Sequence, residues 1–421
     1  MTEQSRHIEL VTSPGLQVKA ALFALCGLVL FLPFSAWLVS LSGRQNLSLV
    51  RDVFILVIGA CSIPYVCRRN YRQPVTYAAL LFCGWAILTF LWKQESALQW
   101  LKGFRFSVMP IVLFLFLVNF PWSDKNRLTV LRAVLGGALI IVLISVLQLL
   151  GVKVPVTTTY SGNFVTGALT QIHYVGGLGV QRFTSVLAGP NAFALYFLAA
   201  AGYCLWAMYA RQRAAAVLMG AVVLLLLITF SRSSSLGLLC FVALVAFFWG
   251  RERFGAARTL AVLGGGLVLI ALAFLGFYRN PAGNALLTHS TSSIDRVTQY
   301  HRIWDTREEI GLLGRGTGTA GPASQFRLDN GPNHWTENSY LDTFEETGLI
   351  GFALYLALII SLIRFAWNNS VTPLGRSAFI LLASLSLTGL FINYYTGQVG
   401  IYLFWLMAAL LVQENRATEE L

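Results

Sequence analysis

Apolar runs of roughly twenty residues, about a dozen of them, succeed one another along this chain. A run of that length spans the hydrocarbon of a bilayer as a helix, because only a helix satisfies its own backbone groups there. Hydrophobic residues make up 56% of the chain and charged residues 11%, where a soluble domain carries about 25% charged residues. The reading is all-α: a polytopic membrane helical bundle with about twelve transmembrane helices. The spans are expected near 20–41, 49–67, 75–92, 104–120, 128–150, 185–208, 214–230, 234–250, 259–277, 346–364, 377–393 and 398–414. The first run is too long for a signal-peptide core and lacks a convincing cleavage site, so it is read as a retained span.

An even number of spans puts both termini on one side. Alternate connections are short and basic: Arg68, Arg69 and Arg72; Lys125 and Arg127; Arg211 and Arg213; Arg251, Arg253 and Arg258; Arg364 and Arg376. The positive-inside rule makes these connections, and hence both termini, cytoplasmic. The opposite face then holds a shorter loop near 151–184 and a long one over 278–345, with short helices inside it. The chain thus divides into 1–277, 278–345 and 346–421.

The net charge of +12 fits basic loops facing anionic membrane lipids, not nucleic acid. Cys26, Cys61, Cys67, Cys83, Cys204 and Cys240 all lie in apolar runs with no CxxC pair, so they read as packing residues, with no disulfide or metal site implied. The spans hold almost no Asp, Glu or His, and no matched pair of broken helices is visible, which speaks against an ion-coupled transporter.

The long outer loop is rich in arginine, against the charge rule, and binding an anionic substrate is one reason for that. Within it, Ser292 and Ser293 precede a helical pattern that Gly311 ends. Ile294, Val297, His301, Trp304 and Glu308 share one face, with Arg296, Arg302 and Arg307 spread around the cylinder. The helix reads either as amphipathic and lying on the membrane, its arginines snorkelling to headgroups, or as turning one arginine, Arg302, to a polar site. Gly316, Gly318 and Gly321 match G-x-G-x-x-G without the strand and helix that a dinucleotide site needs, so they read as a turn that folds the loop back. The loop closes on WTENSYLDTFEETGLIG, Trp335–Gly351. Here Glu337 and Asn338 stand at the start of a helix that becomes a span, where the helix end favours anions. Gly348 and Gly351 suit close helix packing.

Two arginines elsewhere are expected on the same face. Arg182 heads the sixth span, and Arg232 sits in a tight turn close to hydrocarbon, where an arginine must be paired or must snorkel. Guanidinium forks suit phosphate oxygens. Lys102 and Arg105 open the fourth span on this side as secondary basic contacts. Ser231, Ser233 and Ser234 have no HxxxD-like partner and are not read as nucleophiles.

These elements resemble the O-antigen ligase and polysaccharide polymerase superfamily, the WaaL/Wzy-type bacterial membrane enzymes, over roughly residues 100–400. The resemblance rests on R-x-x-x-x-x-x-G-P-N-x-x-A at Arg182–Ala194, S-R-S-S at Ser231–Ser234, the long outer loop, and E-N-S-Y-L with E-x-G-L-I-G at Glu337–Gly351. It implies an inner-membrane enzyme whose active site faces the periplasm. The donor would be a glycan on an undecaprenyl-diphosphate carrier, and the acceptor a hydroxyl of another glycan or of lipid A–core. Neither a cofactor nor a metal is implied, and a chain-length regulator is an admissible partner. Carried over, Arg182 and Arg232 take the diphosphate and position 337 is the general base. Arg302, His334, Asn338 and Tyr340 join Lys102 and Arg105 as further substrate contacts, with Asn338 and Tyr340 either orienting sugar or bracing the loop. Ligases typically carry His before the Asn-x-Tyr-Leu element. This chain has Glu337, its nearest histidine being His334, which looks more like a polymerase of surface polysaccharide or exopolysaccharide. The alternatives are an O-antigen ligase with an unusual base and, of a different class, a lipid-linked oligosaccharide flippase or transporter, which would need basic residues along a cavity deep in the spans.

Overall fold

The computed structural model describes residues 15–42, 45–66, 73–91, 96–152, 182–187, 189–279, 290–326, 336–393 and 399–419. Within them the chain is helical throughout. In order the α-helices are α1 Leu16–Phe31, α2 Ser35–Ser42, α3 Leu49–Val66, α4 Pro74–Leu88, α5 Ala97–Gly103, α6 Met109–Leu117, α7 Asp124–Leu149 and α8 Pro190–Tyr209. They continue as α9 Ala214–Leu227, α10 Arg232–Phe254, α11 Ala256–Arg279, α12 Ser290–Asp305, α13 Arg307–Ile310, α14 Ser339–Asn368, α15 Pro373–Thr388 and α16 Val399–Glu419.

A helix stands at each expected span, and among the described residues part of the expected count meets both the length and the apolarity of a membrane crossing. Among the described residues seven stretches are long and apolar enough to cross a membrane: Leu16–Val39, Pro74–Leu91, Ala97–Leu117, Asp124–Leu149, Pro190–Tyr209, Arg232–Phe254 and Ser339–Asn368. Three further apolar helices are shorter, Ala214–Leu227, Pro373–Thr388 and Val399–Asn415. At 1.5 Å per residue a helix of about fourteen residues reaches roughly 21 Å, short of a hydrocarbon core of about 30 Å. The fourth expected span begins earlier than its apolar run, at Ala97, where Ser96 caps the helix by accepting from the Gln99 N–H at 3.0 Å.

Helix α8 is the axis of the bundle. Phe193 to Leu205 is buried on every side, the mark of a core helix, not a lipid-facing one. It packs on α7, α9, α10, α15 and α16. Small residues let these backbones approach: a side chain at Gly202 would collide with Leu381, and one at Gly237 with Thr388 and Leu198. The outer helices are two-faced. On α7, Val134, Ala138 and Ile141 face inward, while Leu139, Ile140 and Leu143 are exposed, as lipid contact requires. Five of the cysteines are described, with Cys83 and Cys204 buried among apolar neighbours; Cys67 lies outside the described residues.

At one end of the bundle arginines from the short basic connections lie on aromatic rings. Arg376 stacks over Tyr209 and Phe248 and pairs with Glu252 at 2.7 Å, Arg253 covers Trp249, and Arg251 covers Trp367.

At the other end α14 is interrupted. Gly348 adopts φ 67° and ψ −170° inside the helix, a left-handed conformation that favours glycine. Gly348 thus permits close approach of the backbone at Leu312 and Gly314 rather than of a helix, whereas Gly351 lies tight against Trp85 of α4. A break in a membrane helix exposes peptide groups that lipid cannot satisfy. The strap 311–316 satisfies them. The Arg315 and Gly316 N–H groups donate to the carbonyls of Glu345 and Glu346, both at 2.9 Å. The Leu349 and Ile350 N–H groups donate to Gly311 and Leu312, both at 3.2 Å. The Trp85 indole supplies the Thr347 carbonyl at 2.9 Å.

Gly348→Ala would place a methyl group against the Gly314 amide and the Leu312 carbonyl. With the strained φ, the expected cost is about 1–3 kcal/mol. Purified variant should melt earlier in detergent and be cut faster by trypsin after Arg315. Unchanged melting and unchanged protection would remove the strap from its anchoring role.

Candidate active site

Three buried carboxylates in the first turns of α14 hold the strap and the segments beside it. Glu345 accepts from Arg302 at 3.2 Å and from Arg315 at 3.0 Å. Arg315 also reaches Glu309 at 3.0 Å. Glu346 accepts the Gly318 N–H at 3.0 Å and the Ser107 hydroxyl at 3.4 Å. Asp342 accepts the Thr336 N–H at 3.0 Å, the Thr336 hydroxyl at 2.7 Å, and the Asn393 amide. Buried carboxylates are strongly destabilising unless each finds such donors. The glycine-rich turn is therefore a cradle already filled by the chain's own Glu346. It is locked by Thr317, whose hydroxyl lies 2.9 Å from that of Thr89, and by Gln99, which donates to the Gly318 carbonyl at 2.9 Å.

Glu337 projects from the extended turn just ahead of α14. Asn338 is the N-cap, its side-chain oxygen accepting from the Tyr340 and Leu341 N–H groups at 2.9 and 3.1 Å. Tyr340 is buried, donates to the Ser386 carbonyl at 3.0 Å and packs edge-on against Tyr355. Both side chains thus brace the turn that presents Glu337. Arg296 of α12 grips the Glu337 carboxylate through Nε at 2.6 Å and through Nη2, both on Oε2. Among the described residues nothing engages Oε1.

Arg182 approaches from another direction. Its Nε donates to the Thr229 carbonyl at 2.9 Å and its Nη2 to Asn191 at 3.1 Å. Asn191 also accepts from Ser231 at 3.0 Å, so one amide oxygen ties Arg182 to the tight turn before α10. That turn is strained: Phe230 takes φ 50° and Ser185, beside Arg182, φ 50° as well. The turn delivers Arg232 as the first residue of α10. Burial lowers the Arg182 pKa to about 10; Glu337 pulls it up, while Arg232 and Arg296 lower it further. It remains a cation at neutral pH. Arg232 in turn lies in the fields of Arg296 and Glu337. Three guanidiniums and one carboxylate therefore share one place, with a surplus of positive charge.

Arg296 is the residue that sequence reasoning missed. The helix expected after Ser292 begins at Ser290, is interrupted at Thr306, and ends at Gly311 after the short α13. Val297, His301 and Trp304 are exposed, whereas Arg296, Gln299, Tyr300 and Ile303 turn inward. The reason is that α12 lies on polar groups, with Gln299 accepting the Glu337 N–H at 3.4 Å. Arg302 serves Glu345 instead. Arg105 pairs with Asp52 at 2.5 Å, away from Glu337, and Lys102 lies in its field. His334 lies outside the described residues.

Residues 215–356 match the family model Wzy_C, described as O-Antigen ligase. The protein is a multi-pass membrane protein carrying a Wzy_C O-antigen ligase domain. The matched stretch takes in Arg232, α12, the strap, Glu337 and the break at Gly348. Arg182 precedes it. A comparison with curated proteins gives no match.

Asn191→Ala removes the shared acceptor of Arg182 and Ser231. Hydrogen bonds to a charged group contribute about 1.5–3 kcal/mol, so the melting temperature of the Wzy_C protein in detergent should fall by several degrees. An unaltered melting curve would mean that Asn191 does not hold Arg182 in place.

Proposed function

We propose that this protein transfers a glycan from an undecaprenyl-diphosphate carrier to an acceptor sugar hydroxyl, as a polymerase of a surface polysaccharide or exopolysaccharide. The observation that carries this reading is the Glu337 carboxylate, presented beside Arg296 and within the field of Arg182 and Arg232. A base next to a surplus of guanidinium charge is what displacement of a diphosphate requires.

Glu337 takes the proton of the acceptor hydroxyl as its oxygen attacks the anomeric carbon in line, with inversion. The bond from that carbon to the diphosphate oxygen breaks, and the charge that grows on the leaving diphosphate falls among Arg182, Arg232 and Arg296. Fixed donors in a site of low dielectric stabilise such charge by several kcal/mol. Arg296 also orients the base, through its two-nitrogen contact. The steps use only side chains of the chain and the lipid-linked donor.

The finer topology belongs to the same reading. Twelve spans place both termini in the cytoplasm of a bacterial inner membrane, and the division into 1–277, 278–345 and 346–421 gives the long loop to the periplasm. The gathering of Arg251, Arg253 and Arg376 on aromatic rings at the opposite end of the bundle supports this orientation. One observation favours a second reading, ligation of O-antigen to lipid A–core: the description of the matching family itself. Glu337 in place of histidine favours the polymerase.

Transfer in membranes with a purified lipid-linked donor tests the chemistry. Glu337→Gln is expected to lower turnover by about 10²–10⁴-fold while carrier binding persists. Arg232→Lys should lose about 10²-fold or more, because a point charge does not replace the guanidinium fork. Turnover retained by both variants at normal protein levels would overturn the site. Deleting the gene and resolving surface glycans by electrophoresis separates the two reactions. Lipid A–core bearing one repeat, or loss of exopolysaccharide alone, means polymerase. Bare lipid A–core with long polymer left on the carrier means ligase.

A further inference from the structure

A second cluster of polar groups lies where α3, α16 and the junction of α5 with α6 meet. The junction is a π-turn, Phe104–Val108, followed by Pro110, which cannot donate to the helix ladder. Such widened turns are frequent at functional sites. This one turns Arg105 toward Asp52 of α3, at 2.5 Å. Asp52 also holds Arg51 at 3.0 Å, and the Arg51 guanidinium stands 5.8 Å from the ring centre of Tyr402 on α16. Tyr402 lies in the fields of Arg51, Asp52 and Arg105 together. Two guanidiniums share one carboxylate.

Two donors in the cluster are buried without an acceptor among the described residues: Arg105 Nε and the Tyr402 hydroxyl. Tyr402 is only 1% exposed. Unmet donors and surplus positive charge at membrane depth call for an anion that accepts several hydrogen bonds, and phosphate is such an anion. The flanks of the cluster are apolar and outward-facing, with Leu49 and Val53 on α3 and Leu98 and Leu101 on α5. An anion arriving there comes on a lipid chain rather than free in solution. Ser107, two residues past Arg105, bonds Glu346 beneath the strap, so the cluster sits at the same end of the bundle as Glu337. It is nonetheless separate: the charges that act on Arg182 are Glu337, Arg232 and Arg296, none of them from this group.

We propose that Arg51, Arg105 and Tyr402 form a second anion site, which holds the phosphate headgroup of the acceptor lipid while the first site holds that of the donor. The inference rests on the glycan-transfer reading, since that reaction brings two lipid-borne substrates to one face. Asp52 sets the two guanidiniums in place, and Tyr402 supplies a hydroxyl donor from the third helix.

Native mass spectrometry of the full chain in phosphatidylcholine nanodiscs, with undecaprenyl diphosphate as the probe, tests this. The wild type should take up two equivalents. Arg182→Gln with Arg232→Gln should take up one, Arg105→Gln with Tyr402→Phe should take up one, and the fourfold variant none. Arg105→Gln leaves the Arg51–Asp52 pair intact, and Tyr402→Phe alone, which removes a single oxygen, should weaken the second equivalent about fivefold. Two equivalents at wild-type affinity in both the Arg105→Gln, Tyr402→Phe protein and the Tyr402→Phe protein would overturn the proposal. Repeating the count in phosphatidylglycerol nanodiscs identifies the source of the phosphate. Loss of one bound phosphatidylglycerol, with both undecaprenyl equivalents kept, would make the headgroup a bulk lipid's and overturn the acceptor assignment. Failure of the donor reading looks different, because the Arg182→Gln, Arg232→Gln protein would then keep both equivalents.

Discussion

A peptide group in hydrocarbon must find a partner inside the protein, and the break at Gly348 is where this chain meets that constraint. Four peptide groups freed by the break are satisfied by backbone of the strap 311–316, and a fifth by Trp85. The consequence reaches well beyond the helix. Because the strap supplies main-chain groups, its height and register against α14 are determined to within a hydrogen bond. Helix α13 and helix α12 hang from its N-terminal side, and α12 carries Arg296. The distance between Arg296 and Glu337 is therefore set by backbone pairing, which is stiffer than contact between long side chains.

The three acids below the strap extend the same logic to side chains. Asp342, Glu345 and Glu346 are all buried, and each is met by a different kind of donor. Glu345 takes two arginines from the loop, Glu346 takes backbone N–H and a serine, and Asp342 takes Thr336, one residue before Glu337. Their desolvation would be destabilising if the loop lifted away. The acids thus couple burial of α14's first turns to closure of the loop, and leave Glu337, the one acid of this stretch kept partly exposed, as the carboxylate open to substrate.

Guanidinium rather than ammonium surrounds Glu337. Arg182 gives its Nε and one Nη to the scaffold, and its planar fork retains further donors for a ligand. Arg296 does the same with Glu337. A guanidinium also tolerates partial burial as a cation, which a lysine beside two like charges does less well. The scaffold can therefore hold several positive charges near one another before the diphosphate arrives.

The sequence by itself determined that this chain is a bundle of membrane helices, because runs of about twenty apolar residues have no other stable arrangement. It also determined that Arg232 and Glu337 stand at helix starts, since the serine turn and the Asn338 cap are local signals, and that Arg182 precedes the helix opened by Gly189–Pro190. Tertiary structure decided which loop arginine meets Glu337. Periodicity places Val297 and Trp304 on one face of α12, but which of its arginines meets a carboxylate depends on what the opposite face rests on, and there Arg296 meets Glu337. Gly348 was legible as a small residue, and only the strap filling the gap makes it a break. Apolar content suggests twelve spans, whereas among the described residues seven helices are both long and apolar enough to cross a membrane, because where Ala214–Leu227 and Pro373–Thr388 begin and end is decided by the turns around them.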